Sequence, residues 1–83
     1  MPAMPIARVE FTIEPFEVGA PGPHVSAAAA AAEDHGGPVE VGPFATSVAV
    51  PEAAVPALVH DVVRAALDNG ATRIALQIER ADP

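Results

Sequence analysis

Apolar and polar residues alternate from Ile6 to Glu14. Val9, Phe11 and Ile13 fall on one side; Arg8, Glu10, Thr12 and Glu14 fall on the other. A period of two over this length predicts a half-buried strand. Pro15 ends it, and Phe16 to Pro23 carries Gly19, Pro21, Gly22 and Pro23, the composition of a loop. The same alternation returns in three later places. Pro38 to Val41 sets Val39 and Val41 against Glu40. Phe44 to Val50 sets Phe44, Thr46, Val48 and Val50 against Ala45, Ser47 and Ala49. Arg73 to Arg80 sets Ile74, Leu76 and Ile78 against Arg73, Ala75, Gln77 and Glu79. Gly42-Pro43 joins the second and third strands as a hairpin turn.

Two segments have a different rhythm. His24 to His35 is nearly all alanine, the residue of highest helix propensity, and Gly36-Gly37 ends it. From Ala53 or Ala54 onward, Val55, Leu58, Val59, Val62, Val63, Ala66 and Leu67 recur at helical spacing on one face. Pro56 confines the start of this helix to its first turn, and Asn69-Gly70 closes it.

The order is strand, helix, strand, strand, helix, strand. This predicts an α+β, ferredoxin-like domain over residues 6–80, with tails at 1–5 and 81–83. The expected sheet is antiparallel in order 4-1-3-2, with both helices on one face. Each strand then keeps a second row that neither helix covers. That row collects Glu10, Thr12, Glu40, Ala45, Ser47, Ala49, Ala75, Gln77 and Glu79. Plain solvation is one reading of this open face. The other, preferred here, is contact with another copy, because small residues sit near its middle and lysine, the usual guard of an exposed sheet, is absent.

Composition strengthens the second reading. In 83 residues the folded chain buries only about 60–65% of the surface it exposes when unfolded. There is no cysteine, so neither a disulfide nor a thiolate zinc site can support the core. The apolar content of 51% and mean hydropathy of +0.32 argue against a disordered chain, but much of that apolarity is alanine. Burial against another copy is the remaining support. Four arginines, no lysine and eleven acids give a net charge of −7. That charge disfavours nucleic acid and anionic membranes as partners. The N-terminal residues have no basic segment followed by an apolar one, and Ala27 to Ala32 is too short to span a bilayer. A cytoplasmic protein is therefore expected.

Three stretches carry a resemblance. Val9-Glu10-Phe11-Thr12-Ile13-Glu14-Pro15 resembles the first strand of the small thiamine-binding protein family. Glu40-Val41-Gly42-Pro43-Phe44-Ala45-Thr46 resembles that family's hairpin between the second and third strands, where a glycine lies shortly before a threonine. Gly70-Ala71-Thr72-Arg73-Ile74, followed by Glu79-Arg80, resembles its last segment. The stretches occur in order and span about Ile6 to Arg80. The chain departs from the family after Thr46, where Val48-Ala49-Val50-Pro51-Glu52 has a displaced acid and no glycine. The resemblance implies a ferredoxin-like fold, assembly into dimers or tetramers through the open sheet face or edge strands, and binding of thiamine or its hydroxymethylpyrimidine moiety without catalysis.

The residues can be weighed against that chemistry. A thiazolium cation seeks a carboxylate or an aromatic face, and an aminopyrimidine seeks paired donors and acceptors. An acidic chain attracts such a cation. The candidate ligand-binding residues are Glu10, Thr12, Phe16, Glu40, Phe44, Thr46, Ser47 and Gln77. Each has a plainer role as well. Phe16 and Phe44 can seal the core, Thr46 can bond to backbone, and Glu10 and Glu40 can be solvated sheet charges. One rim of the fold is expected to gather Glu14, Phe16, Glu17, His24, Gly42, Phe44, Thr46, Thr72 and Arg73.

His24, His35 and His60 lack metal-ligand spacing, so no metal is expected. No phosphate-binding glycine loop is present. Without cysteine or lysine, and with Ser26 and Ser47 outside any base motif, no catalytic residue or cofactor is expected. The alternative function is an interaction or oligomerisation module with no small ligand.

Overall fold

The computed structural model describes residues 5–15, 22–42 and 45–81. Strands β1 (Ile6–Glu14), β2 (Val39–Val41), β3 (Thr46–Pro51) and β4 (Arg73–Arg80) form one sheet. Helix α1 (Pro23–Glu33) follows β1, and helix α2 (Val55–Asp68) follows β3 after a short 3-10 turn over Glu52–Ala54. The sheet order is β2-β3-β1-β4, and every neighbouring pair is antiparallel. This is the ferredoxin-like arrangement that the alternation and helix periods predict.

Element bounds follow local chemistry. Pro23 and Pro56 lie in the first turns of α1 and α2, where a missing N–H leaves no hydrogen bond unmade. Helix α1 therefore begins one residue earlier than its alanine run suggests. It gives way to a turn at Asp34 and His35. Gly70 leaves α2 at φ +99°, a backbone conformation that side chains other than glycine resist. Gly37 serves a different need. A Cβ there would collide with the backbone carbonyl oxygen of Ala49, so the approach to β2 can lie flat against β3 only without a side chain.

Strand parity decides which residues meet the helices. Val9, Phe11 and Ile13 of β1 and Val48 and Val50 of β3 are buried on one face. Ala28 and Ala32 of α1 and Leu58, Val62 and Ala66 of α2 close over them, together with Val25. Burying each large side chain contributes about 1.5–3 kcal/mol, whereas an alanine contributes far less. Helix α1 thus packs closely but adds little apolar area. A polar clasp joins it to its neighbour. His35 Nε2 donates to Asp61 Oδ2 at 2.7 Å, and His60 Nδ1 donates to Asp61 Oδ1 at 3.0 Å. These bonds, first from His60 and then from His35, hold the Asp61 carboxyl below the usual aspartate range. No helix among the described residues is long and apolar enough to cross a membrane.

Candidate functional site

The strand register assembles a row that no single segment of the sequence displays. Glu40 of β2 lies opposite Ser47 of β3, Ser47 opposite Glu10 of β1, and Glu10 opposite Gln77 of β4. Directly opposed residues in antiparallel strands project from the same face. Glu40, Ser47, Glu10 and Gln77 therefore form one line across all four strands, on the face away from the helices. At about 4.8 Å per strand spacing, the line spans roughly 14 Å.

The next row runs Ala49, Arg8, Glu79. Arg8 Nη2 lies 3.9 Å from Glu10 Oε2, so it leans into the first row. On the other side, Thr12 faces Ala75. Four carboxylates, Glu10, Glu14, Glu40 and Glu79, thus share the face with two guanidiniums, those of Arg8 and Arg73, and the balance is negative.

Two shallow depressions occupy this surface. One, of about 260 Å³, is lined by Arg8, Pro38, Glu40, Ser47, Val48 and Ala49. The other, of about 140 Å³, is lined by Arg8, Glu10, Gln77 and Glu79. Arg8 forms the wall between them. Arg8 and Glu79 were not among the site candidates in the sequence. Their signal was available, since both share the parity of Glu10 and Gln77, but only the register places them at the depressions.

The remaining candidates are distributed differently. Thr12 is on the open face, one row beyond Glu10. Thr46 is on the opposite face: it lies across from Phe11 and Val41, beneath the helices, and is only 3% exposed. It cannot share a ligand with Glu10 and Ser47 on the other side of the sheet. Phe16 and Phe44 fall outside the described residues.

Of the expected rim, Glu14, His24, Thr72 and Arg73 come together around the end of β1, and their polar groups are satisfied there. His24 Nε2 bonds to the carbonyl oxygen of Pro15. Thr72 donates both its backbone N–H, at 2.7 Å, and its hydroxyl, at 3.2 Å, to the carbonyl oxygen of Glu14. Arg73 Nε lies 3.5 Å from Glu14 Oε2. These groups join α1 and β4 to the end of β1, which is structural work. Glu17, the other acid expected there, lies outside the described residues. No group of three or more metal-binding side chains converges among the described residues. Asp61 and its two histidines form a hydrogen-bonded clasp instead.

Comparisons with known proteins add the following. No protein-family model matches the chain, and no curated protein matches it. Solved structures do. A domain of unknown function, DUF77, from Bacillus cereus superposes with a TM-score of 0.66 at 20% identity, covering 100% of this chain and 82% of that one. A protein from Thermotoga maritima, provisionally assigned to thiamine biosynthesis or salvage, superposes with a TM-score of 0.64 at 25% identity, covering 92% of this chain and 82% of that one. The first likeness carries the fold alone.

Proposed function

We propose that this protein binds a small organic cation of the thiamine type on its open sheet face, without catalysing a reaction on it, and does so as a homo-oligomer. The observation that carries the proposal is the row Glu40–Ser47–Glu10–Gln77. Its carboxylates can face a thiazolium charge. Its hydroxyl and carboxamide can each donate and accept, which an aminopyrimidine edge requires. The excess of carboxylates over the guanidiniums of Arg8 and Arg73 raises the local concentration of a cation. The provisional thiamine assignment of the Thermotoga maritima neighbour supports the same ligand class, as does the resemblance of the three sequence stretches.

The depressions also bear on where the ligand sits. At about 260 and 140 Å³, each is smaller than the roughly 300–1,000 Å³ usual for a small-molecule site. A second subunit, meeting the open face or an edge strand, would complete the enclosure. The same small volumes favour a second reading, in which the face is an interaction surface with no small ligand.

Isothermal titration with thiamine and with hydroxymethylpyrimidine tests the proposal. Saturable heat with either compound, weakened about tenfold in Glu10→Gln through loss of one charge-assisted contact, is the expected result. No heat and no thermal shift at millimolar ligand would leave the interaction module as the surviving reading.

A further inference from the structure

The first strand divides the open face along its length. Arg8 and Glu10 are two residues apart on β1 and project from the same side of the sheet. Arg8 Nη2 reaches along the strand to within 3.9 Å of Glu10 Oε2, and both side chains stay about half exposed. The two make a low ridge. The depression of about 260 Å³ lies on the β2–β3 side of it, and that of about 140 Å³ lies on the β4 side. Each is small alone. A ligand that crosses Arg8 draws on both, and their combined volume falls within the roughly 300–1,000 Å³ usual for a small-molecule site.

The two sides of the ridge differ in charge. On the β4 side, Glu10 and Glu79 stand against Arg8, two carboxylates to one guanidinium, with the Gln77 carboxamide beside them. Glu79 is opposite Arg8 in register, yet the guanidinium leans toward Glu10, and Glu79 makes no ion pair among the described residues. On the β2–β3 side, Glu40 alone stands against Arg8, so the charges balance. The rest of that lining is the Ser47 hydroxyl and apolar surface from Pro38, Val48 and Ala49. Arg73, the other guanidinium of the face, lies beside Glu14 and touches neither depression.

The hydrogen-bonding sets differ as well. Arg8 only donates, an ionised carboxylate only accepts, and a serine hydroxyl does both. Arg8, Ser47 and Glu40 therefore match a neutral heteroaromatic edge that offers ring nitrogens beside an exocyclic amine. They hold a cation poorly, since attraction to Glu40 is offset by repulsion from Arg8. The β4 side has the opposite bias. Glu10 and Glu79 can flank a cationic ring, and the net charge there is negative.

We infer that Arg8 is a specificity-determining residue that splits the open face into two lobes: a neutral, hydrogen-bonding lobe at Glu40 and Ser47, and a cation lobe at Glu10, Gln77 and Glu79. The ligand class this selects is a neutral amino-heteroaromatic ring linked to a cationic ring, lying across β1 with its cation toward β4. A compound that carries the neutral ring alone fills one lobe only. An anionic group attached to the cationic ring meets Glu79 and is disfavoured. The inference rests on the open-face binding reading and adds to it an orientation and a charge rule.

Isothermal titration of the full chain with thiamine and with hydroxymethylpyrimidine tests it through the ratio of the two affinities. Three variants are compared, with far-UV circular dichroism to confirm folding. The wild type is expected to prefer thiamine. Glu79→Gln should cut that preference about tenfold, by removing a charge-assisted contact that only the cationic ring makes. Arg8→Gln should raise it about threefold, because the charge that repels the cation is gone. Ser47→Ala should weaken both compounds and leave their ratio unchanged. Thiamine monophosphate should bind the wild type about tenfold more weakly than thiamine does. General damage to the fold cannot move the ratio in opposite directions in two variants. A ratio that Glu79→Gln leaves unchanged, or that Arg8→Gln lowers, overturns the two-lobe inference while ligand binding stands. Silence with both compounds instead removes the open-face reading and this inference with it.

Discussion

The two faces of this sheet are built from the same four strands and differ only by parity, yet they obey different rules. On the helix side, Val9, Phe11, Val48 and Val50 are selected for volume, and Phe11 is only 2% exposed. On the other side, Glu10 and Ser47 are half-buried, Glu40 and Gln77 are exposed, and none of them belongs to the core. They stand in one line, with Arg8 and Glu79 in the next. Neighbouring residues of one strand, Glu10 and Phe11, thus belong to separate problems. Burial explains Phe11 completely. Nothing in the packing calls for two carboxylates, a hydroxyl and a carboxamide in register, and this difference is why the open face is the place to look for function.

The contrast can be pressed hardest at Phe11. Phe11→Ala should destabilise the protein by about 3–5 kcal/mol, the loss expected from emptying a filled aromatic site. Urea unfolding followed by circular dichroism measures it. A loss below about 1 kcal/mol would mean that the helix-side face is not a packed core. Next in size is the alanine helix. Ala28 is fully buried between α1 and the sheet, and Ala28→Leu should lose about 1–3 kcal/mol through overpacking. A gain in melting temperature would instead show that α1 sits loosely. The smallest effect belongs to the open face. Glu10→Gln should change unfolding free energy by no more than about 0.5 kcal/mol while weakening thiamine binding. An equal loss in both would erase the distinction between the faces.

Most of the architecture was legible because alternation and helical spacing are local signals. The bounds of β1 and β4 match the sequence pattern residue for residue, since their parity is unbroken and Pro15 and Gly70 mark adjacent stops. Strand β3 begins at Thr46, with Ala45 outside it, and runs to Pro51, one residue past the alternation. The candidate site was legible only in part. Parity places Glu10, Ser47, Glu40 and Gln77 on a common face, but their alignment depends on register, which the pairing of distant strands decides. Parity also separates Thr46 from them, although motif resemblance had grouped it with them. The clasp of His35, His60 and Asp61 was missed for a related reason. His60 and Asp61 are adjacent in sequence, but His35 reaches them only through the packing of one helix on another.

The pairing of β1 with β4 governs how the chain can fold as well as how it looks. The first strand is flanked by the third and the last, with Ala7 opposite Arg80. Its second edge cannot be satisfied until nearly all the described residues have been threaded past it, a high contact order that slows folding. Through that interval β1 presents alternating Val, Phe and Ile beside unpaired backbone groups. The absence of lysine from the chain leaves the unfinished sheet unguarded, so the rate at which Arg73–Arg80 docks sets how long the chain is open to pairing with the wrong neighbour.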